Sequence, residues 1–293
     1  MSDVLVGLIG GTGLGAALTK EIRGKKVTVA TPFGKPSAPI IMTEVGGQRV
    51  AVLARHGEGH RFNPSQVPYR ANIFALKKLG VTHILASGAT GSLQEEIAPR
   101  NLVICDQVID KTVRGGRTFF DDFVAHVGFS DPFCPSLREL LIACGKTSAA
   151  TVHPHGTYVC MEGPQFSTRA ESLMHHGWGA RLIGMTVMPE AKLAREAEIC
   201  YALIGIATDY DCWRPHAPGE TLDHVIESIL ANVAAGTAHA IDLMKRAVPL
   251  VAGACSDSCG CRSALAKAFW TSPEKIDPKA KKRLKPLVGK YLK

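Results

Sequence analysis

Apolar runs four to six residues long, each closed by glycine or small polar residues, alternate with helically periodic stretches along most of the chain. Residues 4–9 read as a buried strand, and 38–42 with 49–53 as two strands turning on Gly46 and Gly47. Residues 66–79 have helical spacing and stop at Gly80, a residue that adopts the left-handed cap at no steric cost. Residues 81–86 predict another strand, ended by the small-residue turn 87–92, and 101–106 continues the sheet. Residues 107–133 read as a polar excursion. A helix follows over 135–144 with proline in its first turn, then a strand over 157–161. A further helix begins at Arg169, with Ser167 or Thr168 as its N-cap.

The most informative stretch is 183–213. Two apolar runs end in Met185-Thr186 and in Asp209-Tyr210-Asp211, and a breaker-free helix over 190–198 separates them. Strand, helix and strand in that order predict a crossover, which delivers both strand ends to one sheet edge, where open α/β sheets bind ligands. A long helix is expected over about 221–246, with Leu222, Val225, Ile226, Ile229 and Val233 on one face. Most of that stripe should be core, with its first turn beside the Asp209 loop lining a pocket. The pattern breaks after Ala254. The expectation is an α/β protein with one domain over 1–250 and a separate cysteine-containing basic extension over 251–293.

Composition narrows the class. With 293 residues and 46% hydrophobic content, the chain can build a substantial core. No apolar run approaches membrane-spanning length and the first residues lack a basic leader, so a cytoplasmic protein without a membrane partner is expected. Eight Lys or Arg between Glu274 and Lys293, against Glu274 and Asp277, place +6 of the net +8 in the last twenty residues. That run reads as a solvated extension in preference to a nucleic-acid contact. Of nine cysteines, Cys105, Cys134, Cys144, Cys160, Cys200 and Cys212 stand singly in apolar surroundings. Cys255, Cys259 and Cys261 cluster, but three thiols without a nearby histidine leave a zinc set one ligand short. Reduced thiols are favoured over a Cys259–Cys261 bridge.

Candidate chemistry sits at the strand ends. Residues 10–15 form a glycine-rich turn whose N–H groups and Thr12 hydroxyl suit an anion. A dinucleotide-binding turn is the rival, and it needs an acidic residue about 20 positions on that residues 31–37 do not supply. Arg55, His56 and His60 follow the strand ending near 53 and combine a fixed cation with imidazole donors. Without a third ligand nearby, the histidines predict no metal. Phe166 on its Gly-Pro turn can stack on a planar base while Ser167 donates to it.

Together these stretches resemble the trimeric nucleoside phosphorylase family. The resemblance rests on residues 10–14, 31–37, 53–57, 71–77, 91–93, 162–167, Met185-Thr186 with Pro189-Glu190, and 208–213, and covers about 4–248. It implies a single-domain fold, a central mixed β-sheet flanked by helices, assembled as a homotrimer. It also implies phosphorolysis of a purine nucleoside, with inorganic phosphate as co-substrate and no cofactor. Phosphate would be held by Thr12, Arg55, His56, Gly88, Ala89 and Thr186. Met185 would lie under the ribose, and Phe166 and Ser167 against the base. His60 would contact the nucleoside, and His126 would be lent to the 5′ pocket of a neighbouring subunit. Asp209 would protonate the leaving purine, and Asp209 and Asp211 would accept from a 6-amino group, whereas a 6-oxopurine would favour an amide there. Leu222, Val225 and Ile226 would give the 5′ pocket an apolar lining suited to a methylthio group. The turn 87–90 departs from the family's usual sequence, and the tail from Cys255 lacks a counterpart in its short members. The Cys-Gly-Cys resembles a bridge of some heat-stable relatives.

Overall fold

The computed structural model describes residues 4–11, 24–215, 221–254 and 259–292. Its strands are β1 (Leu5–Gly10), β2 (Lys25–Val27), β3 (Ile40–Val45), β4 (Gln48–Ala54), β5 (Val81–Ser92), β6 (Leu102–Ile104), β7 (Gln107–Asp110), β8 (Val152–His153), β9 (Thr157–Cys160), β10 (Leu182–Gly184) and β11 (Cys200–Asp209). The main helices are α1 (Tyr69–Lys78), α2 (Pro135–Gly145), α3 (Arg169–Gly177), α4 (Val187–Glu196) and α5 (Leu222–Ala247). The strands form one mixed sheet in the order β2-β3-β4-β1-β5-β10-β9-β7, with β11 beside β5 and leading on to β6 and β8.

Side chains alternate across a strand, and the central strands therefore feed two cores. Leu5 and Ile9 of β1 with Tyr201, Leu203 and Ala207 of β11 pack under α1 and α4. Val6 and Leu8 with Ala202, Ile204 and Ile206 pack under α2 and the C-terminal half of α5. Both strands are buried along nearly their whole length, the expected signature of central strands covered on both faces. Local signals decide several ends. Gly46 and Gly47 take φ values of 56° and 78° in the β3–β4 hairpin. Thr168 caps α3 in a capping box with Glu171, and Thr221 caps α5.

Three expectations are corrected. Residues 87–92 are not a turn: β5 continues through Ser92 because β11 pairs with it in parallel as far as Gly91. The small residues there serve close packing, since a Cβ on Gly91 would lie 3.0 Å from the Asp211 Cβ. The stretch 183–209 is not a parallel crossover, because β10 is antiparallel to β5 and β11 is parallel to it. The two strand ends still meet, since β10 joins β5 at Gly91 and runs back along it while β11 runs forward. The tail is not a solvated extension. Leu265, Ile276, Ala280, Leu284, Leu287, Val288 and Leu292 are buried in the same core as α1 and α4, and Arg283 pairs with Asp122 of the body. A run of lysines hides this pattern, because only the apolar face of each short turn points inward.

Candidate active site

The site is a break in the sheet. On one edge of β5, β1 pairs only as far as Ala86 and β10 begins only at Gly91. No described strand pairs with residues 87–90 on that edge. The Arg55 Nη1 donates to the Ser87 carbonyl at 2.8 Å and so marks the direction of the break. Backbone groups alternate along a strand, so the Ala89 N–H points the same way, into the opening, while that of Gly88 turns toward β11. Gly88 thus contributes room instead of a donor; a Cβ there would stand 3.6 Å from the Thr186 Oγ1. Met185 and Thr186, leaving β10, cross the opening. Thr186 precedes α4 but its hydroxyl makes no capping bond, which leaves it to the cavity.

The cavity has two adjoining lobes of about 810 and 530 Å³, a size that suits a small-molecule substrate. Gly11, His56, His60, Ala89, Met185 and Thr186 line the larger lobe. Ser167, Tyr210, Val225, Ser228 and Asn232 line the smaller, and Phe166, Asp209, Asp211 and Ile229 border both. Phe166 is 81% exposed and presents its ring to the opening instead of to the core. Behind Met185, Gly163 has φ 68°, and any Cβ there would lie 2.5 Å from the Met185 Sδ.

Arg55 lies behind this wall, not on it. Its Nε and Nη2 donate to the two Glu190 carboxylate oxygens at 2.7 Å each, and both side chains are fully buried. Burial alone would weaken the guanidinium's charge, but the Glu190 carboxylate more than offsets it and holds the pKa above its ordinary value. Tyr201 donates to the same carboxylate at 2.8 Å. A Cβ on Gly11 would be 2.9 Å from the Arg55 Nη1, so only glycine lets this cation stand directly behind the cavity surface.

His56 bonds the Phe62 carbonyl through Nδ1 at 2.8 Å, which places the proton on Nδ1 and leaves Nε2 as the other polar atom. Burial chiefly pushes its pKa down to about 4, with Arg55 and His60 adding to the fall and the Phe62 bond opposing it. His60 stacks on it at 4.2 Å between ring centroids.

The carboxylates close the other end. Asp209 accepts from the Thr208 hydroxyl at 2.6 Å and from the Asp211 N–H at 2.9 Å. Burial nonetheless raises its pKa above the usual carboxylate range, and the Asp211 charge adds to the rise. Asp211 has φ 48° and accepts from Ser172 of α3. Asn232 of α5 donates to the Thr208 carbonyl at 2.9 Å while accepting from Arg100 at 2.8 Å, which fixes the end of β11.

Other expected residues lie elsewhere. Thr12 and the side chain of Leu222 lie outside the described residues. Ile226 is 46% exposed and off the lining; Ile229, Leu230 and Val233, one and two turns on, take the place expected of it. The first half of α5 overhangs the cavity mouth, and its stripe becomes core only from Asn232 onward. The His126 N–H donates to the Ala268 carbonyl at 2.8 Å and its ring meets Trp270, on the tail and off the lining.

Sequence reasoning missed Arg114 and, though it noted Glu190, gave it no role. Arg114 is buried, and its Nη1 donates to the carbonyls of Pro64 at 2.7 Å and Met185 at 2.9 Å and to the Tyr69 hydroxyl at 3.0 Å. Its Nη2 reaches the Glu162 carbonyl at 2.7 Å. It ties four segments of the cavity wall together from within an excursion that carries no periodic signal. Arg61 and Asn63 also line the larger lobe, and the only hint of them was their nearness to His60.

Comparison with known proteins places this geometry. An S-methyl-5′-thioadenosine phosphorylase of Geobacter sulfurreducens is 45% identical over 296 residues, spanning 99% of this chain and all of that one. The crystal structure of a methylthioadenosine phosphorylase from an antarctic soil metagenomic library matches 98% of this chain and 99% of its own, at a TM-score of 0.86 and 43% identity. A variant of the adenosine/methylthioadenosine phosphorylase of Schistosoma mansoni, solved with methylthioadenosine, matches 92% of this chain and all of its own, at 0.80 and 37%. Residues 5–249 match the model of the Phosphorylase superfamily. With a split mixed sheet, a cavity at the split and relatives this similar over nearly its whole length, the chain belongs to the Phosphorylase superfamily.

Proposed function

We propose that the cavity converts S-methyl-5′-thioadenosine and inorganic phosphate to adenine and 5-methylthioribose 1-phosphate. The observation that carries this reading is the placing of two unlike ends in one cavity. Anion donors gather where Gly88 and Ala89 meet Thr186, and carboxylates gather at Gly91. Three residues of extended strand separate these ends, about 10 Å, which leaves room for a ribose between phosphate and base. The activities for which the Geobacter and Schistosoma relatives are named support the same substrate.

Phosphate is held by the Ala89 N–H, the Thr186 and Thr12 hydroxyls, and Arg55 behind Gly11. Neutral His56 accepts at Nε2 from the hydroxyl of hydrogen phosphate. A phosphate oxygen forms the bond to C1′ as the C1′–N9 bond breaks, and the electron pair passes into the purine. Asp209, whose pKa burial raises, gives its proton to N7. The phosphate dianion stabilises the cation-like ribosyl group by proximity. Asp211 accepts from the 6-amino group, Met185 lies under the ribose, and Phe166 with Ser167 flanks the base. Val225, Ile229 and Val233 favour a methylthio group over a hydroxyl, a preference worth about 1–3 kcal/mol, so adenosine is a slower substrate. The reaction uses no cofactor. Phe166, Leu230 and Ile226 expose apolar surface around the mouth, which favours closure by another copy in a homotrimer, read by light scattering.

The decisive assay follows base release from methylthioadenosine, methylthioinosine, adenosine and inosine with and without phosphate. The proposal expects adenine from methylthioadenosine, strictly dependent on phosphate. Preference for the 6-oxopurines overturns the assignment of the base pocket, and release without phosphate makes the protein a hydrolase.

A further inference from the structure

The fold completes a set of thiols that the sequence leaves short. The sulfurs of Cys134, Cys200, Cys259 and Cys261 all lie within 4.8 Å of one another. Cys134 stands at the N-cap of α2 and Cys200 opens β11, while the tail supplies Cys259, which precedes the 3-10 turn Gly260–Ser263, and Cys261 within that turn. None of the described cysteines is joined in a disulfide; Cys255 lies outside the described residues.

The spacing is informative. Cys134 Sγ and Cys200 Sγ are each 3.7 Å from Cys259 Sγ. A disulfide would bring two sulfurs to about 2.05 Å. A tetrahedral zinc ion with Zn–S bonds of about 2.3 Å sets the edges between its sulfurs at about 3.8 Å. Both spacings match a tetrahedral edge and neither matches a bond, and the other sulfur pairs stay within 4.8 Å. The Cys261 backbone N–H is directed at the Cys259 sulfur, the kind of outer-shell donor that steadies a metal-bound thiolate. Arg195, held by the carbonyls of Gly128 and Asp131, sets a positive charge near Cys261.

We propose that Cys134, Cys200, Cys259 and Cys261 form a structural zinc site that fastens the C-terminal tail to the sheet. All four positions of the tetrahedron are filled by protein, which leaves no open position for catalysis. Cys200 and Asp209 occupy opposite ends of β11, about 30 Å apart at the rise of an extended strand, so the ion takes no part in phosphorolysis. Binding forms four Zn–S bonds, breaks the S–H bonds of the thiols, and releases those protons to solvent without any change of oxidation state. Sulfur-only tetrahedral sites suit zinc, and a single iron is the competing ion.

The test uses the full chain, expressed in zinc-supplemented medium and purified with a non-thiol reductant. Elemental analysis should find about one zinc per chain, released when a mercurial caps the thiols. Cys259→Ser should lower the zinc content at least tenfold, while Cys144→Ser, outside the cluster, keeps it. If Cys259→Ser fails to fold, Co(II) titration of the zinc-stripped native chain reads the site directly. It should show thiolate-to-cobalt charge transfer with the intense visible bands of tetrahedral geometry, displaced by Zn(II). Zinc-free protein that binds neither ion, an intact mass four units low from two disulfides, or iron in place of zinc would each overturn the assignment.

Discussion

Replacing Arg55 separates the two tasks of one buried cation. Its guanidinium spends three of five N–H groups on Glu190 and Ser87. Its Nη1 stands behind Gly11 at the cavity surface. Arg55→Met leaves the Glu190 carboxylate at zero exposure with the Tyr201 hydroxyl still bonded to it. Removing one partner of such a pair costs about 3–5 kcal/mol, because the other charge remains in the interior. At about 2–4 °C per kcal/mol for a chain of this size, Tm should fall by about 6–20 °C. The double variant Arg55→Met, Glu190→Met removes both charges and should recover most of that loss, since an apolar pair of similar volume fills the same space. Phosphate binding should behave differently. Loss of a charge-assisted hydrogen bond costs about 1.5–3 kcal/mol, so KM for phosphate should rise about 10–150-fold in the single and the double variant alike. Differential scanning calorimetry and phosphate saturation of adenine release read the two effects separately. A single variant that loses less than about 1 kcal/mol would refute the stability argument. A double variant that regains wild-type KM for phosphate would show that Arg55 is purely a framework residue.

Further expectations concern the base pocket and the pH response. Asp209→Asn keeps an acceptor for the Asp211 N–H and can turn its amide N–H toward the Thr208 hydroxyl, so Tm should hardly move, while kcat falls about 10²–10⁴-fold with the proton donor gone. The wild-type rate should also decline as pH rises through the elevated Asp209 pKa, and that limb should be missing from the variant's profile. Glu196 is buried beneath the Thr118 hydroxyl and the Phe119 N–H, and burial chiefly raises its pKa to about 7. A raised folded-state pKa means stability that is full below the unfolded value of about 4.3 and lost as pH climbs through 7. Glu196→Gln should therefore be the more stable protein at pH 8, by about 3 kcal/mol, and the gap should shrink to under about 1 kcal/mol at pH 5; thermal melts at the two pH values check it. Arg114→Met should misplace Met185 and the 161–162 segment and lower kcat/KM for the nucleoside about 10²-fold, and Arg114→Lys should not rescue it, because an ammonium cannot span the fork. Steady-state kinetics on both variants decide.

Much of the architecture was legible where chemistry is local. The β3–β4 hairpin followed from two adjacent glycines, α3 from a hydroxyl N-cap at Ser167 or Thr168, and α2 from Pro135, because turns and caps are decided by a few neighbouring residues. The candidate site was legible as a list of strand ends, and Asp209, Asp211, Met185, Thr186, His56 and Phe166 do border one cavity. Periodicity failed at β5, whose glycines and alanine read as a turn. A strand partner more than a hundred residues away, β11, supplies its pairing, and no window of sequence contains that information. It failed again on α5, where the apolar stripe runs unbroken although its first half faces the cavity mouth and only the second half meets the sheet.

The amino-acid sequence by itself determined the material of the two cores, the caps and turns, the family and the residue types that serve an anion and a base. Only the tertiary structure decided how those parts meet. It split the edge of β5 between β1 and β10 to open the site, and it set Arg55 behind Gly11 with Glu190 across from it. It also folded the tail's apolar face into the core and drew Cys134 and Cys200 to the tail's Cys259 and Cys261. Each of these joins groups tens of residues apart through burial and pairing, and burial is a property of the packed chain, not of any residue within it.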